Sequence, residues 1–175
     1  MRRGLAVLLL TPFLVAGCGP AAEKRPSARE IPPDAVAEFC GMGIGEHPGP
    51  KAEIFVRGRA APYWFASVRD MFAFTLLPET PKDITAIYVT DMARARSWEQ
   101  PGPGIWIDAR SAVFVVGSRA HGGMETNEAV PFADAAEAGA FAAREGGRLV
   151  GFAAMPADYI LPHLAGAAAP DGGQR

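Results

Sequence analysis

Cysteine is nearly absent from this chain of 175 residues, which has only Cys18 and Cys40. Two isolated thiols cannot build a four-cysteine zinc site, and their spacing excludes C-x-x-C redox chemistry. Neither a His-Glu-x-x-His zinc motif nor a Ser-His-Asp arrangement is present, so the usual hydrolytic signatures are missing. A basic stripe is also lacking: 17 lysines and arginines face 19 acidic residues, for a net charge of −2. That balance repels phosphate and excludes nucleic acid as a partner. No apolar run is long enough to cross a bilayer comfortably; the longest, residues 4–17, is broken at Pro12.

What stands at the N-terminus is a short basic start, Met1-Arg2-Arg3, then that apolar run, ending in Val15-Ala16-Gly17-Cys18. The ending resembles a bacterial lipobox, in which small residues fit the lipoprotein signal peptidase and the cysteine thiol carries the lipid. Residues 1–17 are therefore expected to be a signal peptide and Cys18 the lipidated residue. Gly19 follows, and nothing there resembles the aspartate that retains lipoproteins at the inner membrane. The expected location is the bacterial envelope, lipid-anchored at the outer membrane and facing the periplasm. The remaining 158 residues carry a charge of −4 and suffice for one domain with a real core. Residues 18–34, rich in proline, alanine and charge, read as a lipid-anchored flexible tether, and residues 167–175 as a tail. The folded part is then 35–166, and a monomer is expected.

Inside it two segments follow one plan. Apolar residues alternate on both sides of Arg57-Gly58-Arg59, which reads as a hairpin. Ser67 with Asp70 three residues on starts a helix, Pro78 and Pro81 stop it, and Asp83–Asp91 is a strand. The plan then recurs. Ser111–Ser118 is a strand, Val130-Pro131-Phe132 its partner, and Asp134 with Glu137 starts a helix that stops at Gly146-Gly147; a last strand follows. At an offset of 67, Phe65 falls on Phe132, Ser67 on Asp134 and Phe74 on Phe141. The fold class is α+β: two tandem ββαβ units, roughly 51–92 and 110–155, forming one domain as an internal pseudo-repeat.

The two halves are chemically unequal. The second hairpin is joined by Ser118–Glu128, far longer than the turn of the first, with His121 and, after two glycines, Met124. Such loops tend to carry function. Near the start, Cys40-Gly41-Met42 places a thiol and a thioether at i and i+2; in an extended segment both point to one face. With Cys18 blocked by lipid, Cys40 is a lone thiol in an oxidising compartment. It is either buried and inert, as in a structural lipoprotein without ligand, or held for a purpose. A thiolate with thioethers suits Cu(I) by softness, whereas hard ions want oxygen. Met71, Met92 and Met155 lie in or beside core elements and read as packing residues. His47 and His121 read as ordinary surface-loop residues, with a part as additional ligands left open.

The lipobox, Phe39-Cys40-Gly41-Met42-Gly43-Ile44, and the run from Gly122 to Leu149 with its Met-x-x-x-x-x-Val-Pro-Phe together resemble the NosL family of accessory lipoproteins. The resemblance implies two ββαβ units related to part of the organomercurial lyases. It implies no enzyme but a copper chaperone, delivering Cu(I) toward the copper-sulfide cluster of nitrous oxide reductase together with its membrane assembly factors. It maps the metal ligands onto Cys40, Met42 and Met124. Lyase activity itself needs two free thiols, and only Cys40 is free.

The lipobox generates a direct test. Mass spectrometry of the mature protein from its host should find acyl chains on Cys18, and Cys18→Ser should leave the chain unlipidated and out of the detergent phase. An unmodified Cys18 on the mature wild type contradicts the lipoprotein reading.

Overall fold

The computed structural model describes residues 25–162. The expected signal peptide, Cys18 and the tail at 167–175 lie outside the described residues. Within them no helix is long and apolar enough to cross a membrane.

The first unit runs β1 (Ala52–Val56), β2 (Tyr63–Phe65), α1 (Val68–Leu76) and β3 (Ile84–Thr90). The second runs β5 (Val113–Val116), β6 (Val130–Phe132), α2 (Ala135–Glu145) and β7 (Arg148–Gly151). Between them lies the short β4 (Trp106–Asp108), and a last helical turn, α3 (Ala157–Ile160), closes the described chain. Both sheets are antiparallel, in the orders β2-β1-β3-β4 and β6-β5-β7. In each unit the first strand is central and the strand after the helix returns to its other side. The two ββαβ units of the sequence pattern are thus present, with β4 added to the edge of the first.

Local chemistry explains the boundaries. Ser67 is the N-cap of α1 and accepts from the Asp70 N–H at 3.4 Å; Asp134 caps α2 and accepts from Ala136 and Glu137. The first helix stops at Leu77, whose successor Pro78 disfavours helical geometry before it. The second stops at Gly146, where φ is +76°, a conformation glycine adopts without strain. The final strand is shorter than the apolar run implies, because Phe152–Ala154 coils into a 3₁₀ turn.

A shared core joins the units. Ala52, Ile54, Val68, Met71, Phe72 and Ile87 of the first meet Phe114, Val116, Ala129 and Val150 of the second in one buried cluster. Phe72 packs edge-on against Phe114, with ring centroids 5.1 Å apart. Met71 is fully buried, and Met92 and Met155 pack against apolar clusters, so these three methionines do fill the core. Backbone bonds add register: Met92 N–H donates to the Pro131 carbonyl at 3.0 Å, and Asp91 accepts from the Ala133 N–H at 3.2 Å.

Residues 25–34 of the expected tether belong to the fold. They lie along the face of the first sheet opposite α1. Arg25 pairs with Asp108, Tyr88 donates to the Pro26 carbonyl, the Arg29 N–H donates to Glu53 and Gly104 N–H donates to Glu30. Composition alone misread them, because their polar groups find partners on β1, β3 and β4 that no local pattern announces.

The matched caps predict matched losses. Ser67→Ala and Asp134→Ala should each lower unfolding free energy by about 1 kcal/mol in urea titrations. Loss at one position only would mean the two helix starts are not equivalent.

Candidate metal centre

Residues 35–47 form a tight turn that presents Cys40 to a histidine. The Ala37 N–H donates to the Met42 carbonyl at 2.8 Å, Gly41 N–H donates back to Ala37 at 2.9 Å, and Ile44 N–H donates to Ala35 at 3.0 Å. Glu38 N–H donates to the Trp64 carbonyl, tying the turn to β2. Gly41 adopts φ +68°, which reverses the chain where a side chain would strain it. The segment from Cys40 to Met42 is therefore a turn and not extended, so the one-face geometry of an extended pair does not apply; the glycine between the sulfurs bends the backbone. Cys40 is half-buried, and Met42 remains 38% exposed.

The 3₁₀ turn Ile44–Glu46 then delivers His47 back onto the cysteine. His47 is buried, with Nε2 3.7 Å from Cys40 Sγ. Its expected place on a surface loop is corrected here: the turn folds the imidazole inward. Lys51 holds this path in place. It is buried, and its ammonium donates to the carbonyls of His47, Pro48 and Gly49 at 2.8, 3.1 and 2.6 Å. Burial pulls its pKa down to about 8, countered in part by the charge of Glu128.

The second unit reaches the same ring from the other side. A methyl group placed on Gly123 would lie 3.0 Å from His47 Nδ1, so that backbone packs directly on the imidazole. Met124 is the next residue, on the 3₁₀ turn Gly123–Glu125. Glu125 beside it has φ +56°, the sole positive value among described non-glycine residues, and such strain tends to be kept where a loop has a task. The loop is pinned at its base. His121 is exposed, and its Nδ1 donates to the Glu125 carbonyl at 2.8 Å, which fixes that tautomer. Trp98 ties the two loops together: its carbonyl accepts from Gly49 N–H at 2.7 Å and its indole N–H donates to the His121 carbonyl at 2.9 Å.

Behind the loop lies Glu128, fully buried. Its Oε1 accepts from Ala129 N–H at 2.8 Å and from Arg69 N–H at 2.9 Å. The second of these is an otherwise orphaned donor in the first turn of α1. Oε2 has no hydrogen-bond partner, and a methyl group on Gly122 would collide with it. Burial raises the Glu128 pKa to about 7, opposed by the two backbone bonds. Asp70, on the same helix turn, is also raised by burial and drawn back by Arg69 and His47.

Of the residues nominated from the sequence, Cys40 meets the imidazole directly, Met124 follows the Gly123 backbone that packs on the ring, and Met42 stands on the same turn as Cys40. His121 serves the loop rather than facing the cysteine. Among the described residues no cluster of three or more His, Cys, Asp and Glu side chains could hold a metal ion. The thioether of Met42 stands beside Cys40 on the same turn, and thioether donors favour soft ions. Sequence reasoning left His47 open as an additional ligand and missed Lys51 and Glu128. Charged residues are exposed by default, and only pairing across 59 positions, as between Arg69 and Glu128, reveals otherwise.

Comparison with known proteins finds relatives over most of the chain. The family model described as NosL matches residues 28–160. The copper-binding lipoprotein NosL of Achromobacter cycloclastes is 41% identical over 149 residues, covering 85% of this chain and 77% of that protein. The copper-binding lipoprotein NosL of Stutzerimonas stutzeri is 38% identical over 153 residues, covering 85% and 76%. Among solved structures, the crystal structure of the copper chaperone NosL from Shewanella denitrificans superposes with a TM-score of 0.70 at 35% identity, covering 75% of this chain and 96% of that one.

The buried carboxylates make stability depend on pH. Glu128 and Glu53 both have folded pKa values raised to about 7 by burial, above their ordinary 4.5. The folded state therefore holds protons that the unfolded state releases, and stability should fall as pH rises from about 4.5 through 7. Glu128→Gln should flatten this decline and raise the melting temperature at pH 8 relative to wild type, with little difference near pH 5. Melting temperatures that climb over that interval would contradict the assignment.

Proposed function

This chain belongs to the NosL family, and from that premise we propose that it is a copper metallochaperone, binding Cu(I) through Cys40, Met42, Met124 and His47. The observation that carries the reading is the convergence on His47: the Cys40 sulfur 3.7 Å from Nε2, and Gly123, with Met124 following, against the opposite side of the ring. The cysteine thiolate supplies the one charged soft ligand. The thioethers add neutral sulfur, and the imidazole a borderline nitrogen. Few ligands, with Met42 exposed and Cys40 half-buried, let the metal be exchanged to an acceptor instead of being locked in. Binding requires the thiolate, so loading releases a proton, and the bound ion shields a lone thiol from oxidation.

The proposed cargo route follows the family resemblance. The chain is anchored by lipid at Cys18, faces the periplasm, and works as a monomer with nitrous oxide reductase and its membrane assembly factors to supply the copper-sulfide cluster. The competing reading, a structural lipoprotein with an inert buried cysteine, is disfavoured because Cys40 is only half-buried and Met42 is exposed.

A Cu(I) titration against a chromogenic competitor tests the reading. One Cu(I) per chain is expected. Cys40→Ala should nearly abolish binding, while Met42→Ala, Met124→Ala and His47→Ala should each weaken it by a smaller factor. Absence of binding, or binding indifferent to Cys40→Ala, would sink the proposal.

A further inference from the structure

We propose that the end of the first sheet remote from Cys40 is a binding face for anionic lipid headgroups, built around a cavity that five arginines surround. That cavity, about 490 Å³, is lined by Arg25, Arg29, Arg57, Arg59 and Arg110, with Phe55 and Thr85 among the remaining walls. The chain as a whole is acidic, with a net charge of −2, so this concentration of one sign runs against its composition. Two acids lie near. Asp108 is paired with Arg25, and Asp83 is bound through its carbonyl to the Arg57 N–H. Several of the guanidinium groups are held by aromatic rings: Arg25 over Tyr88 at 5.4 Å, Arg29 over Phe55 at 5.5 Å and Arg59 over Tyr63 at 4.0 Å. Stacking of this kind orients a guanidinium while leaving N–H edges to reach a phosphate.

Position in the fold points to a lipid as the source of that phosphate. Arg25 lines the cavity and lies seven positions after Cys18. A run of that length spans at most about 24 Å when fully extended. A lipid on Cys18 would thus hold the arginine face within reach of the bilayer, where each basic residue near an anionic surface adds attraction. Strand β1 sets the consequence. It leads from Lys51, which holds the His47 loop, to Arg57 at the cavity, about 17 Å for five residues. With the arginines against headgroups, the Cys40 turn and the Met124 loop face away from the membrane, toward a soluble acceptor. The inference rests on the lipoprotein reading for its source of phosphate but not on copper binding.

Vesicle sedimentation tests it on a chain beginning at residue 18 with Cys18→Ser, which keeps every described residue and carries no lipid. The chain should sediment with vesicles containing phosphatidylglycerol at low salt, and not with pure phosphatidylcholine. Binding should weaken as salt shortens electrostatic reach. Arg59→Gln with Arg110→Gln should cut it by about fivefold per arginine removed. Circular dichroism and the Cu(I) titration should stay at wild-type values in this double variant, which separates failure here from failure of the copper reading. Equal binding to both vesicle types, or an unchanged double variant, overturns the proposal. Displacement by millimolar inorganic phosphate as effective as by added salt of equal ionic strength supports a surface held by charge; much stronger displacement would identify a free-phosphate site and overturn the lipid assignment.

Discussion

The imidazole of His47 stands between the Cys40 sulfur and the backbone of Gly123, and the site depends on that wedge. It joins segments that are far apart in sequence and belong to different parts of the fold. Everything around it serves to hold the ring there. Lys51 gathers three carbonyls of the His47 loop, Trp98 bonds both loops, and Glu128 supports Gly122 from behind while bonding the first turn of α1. Lys51 and Glu128 are buried charged groups, costly unless well partnered. Lys51 is well partnered, and Glu128 only half so, since Oε2 is left without a donor.

The repeat explains why there is one such site and not two. Both units share strand order and helix caps, and the shared core makes them one body. They differ in the link between their first two strands. In the first unit this is a short turn around Gly58; in the second it is the long loop with His121, Met124 and the strained Glu125. The scaffold has two hairpins of like topology, and the longer link of the second faces the N-terminal turn that carries Cys40.

Much of the scaffold was legible in the residues. Alternation, proline stops, glycine stops and the Ser67 and Asp134 caps are local signals, and they placed the strands and helices nearly where they lie. The sulfurs were legible too, as soft atoms among glycines. What was not legible came from contacts between distant positions. His47 looked like a loop residue because nothing local shows that the turn at Gly41 brings it back to Cys40. Residues 25–34 looked like tether because their bonds to Glu53, Tyr88 and Asp108 are made across the sheet. The arginine cavity escaped notice for the same reason: its members are scattered from Arg25 to Arg110 and meet only in the fold.

X-ray absorption on the Cu(I)-loaded chain tests the central claim most directly. A centre built on Cys40, the two methionines and His47 predicts sulfur scatterers in the majority with one nitrogen, and the nitrogen contribution lost in His47→Ala. A spectrum dominated by nitrogen or oxygen, or one unchanged by both Cys40→Ala and His47→Ala, would contradict a copper site organised around that contact.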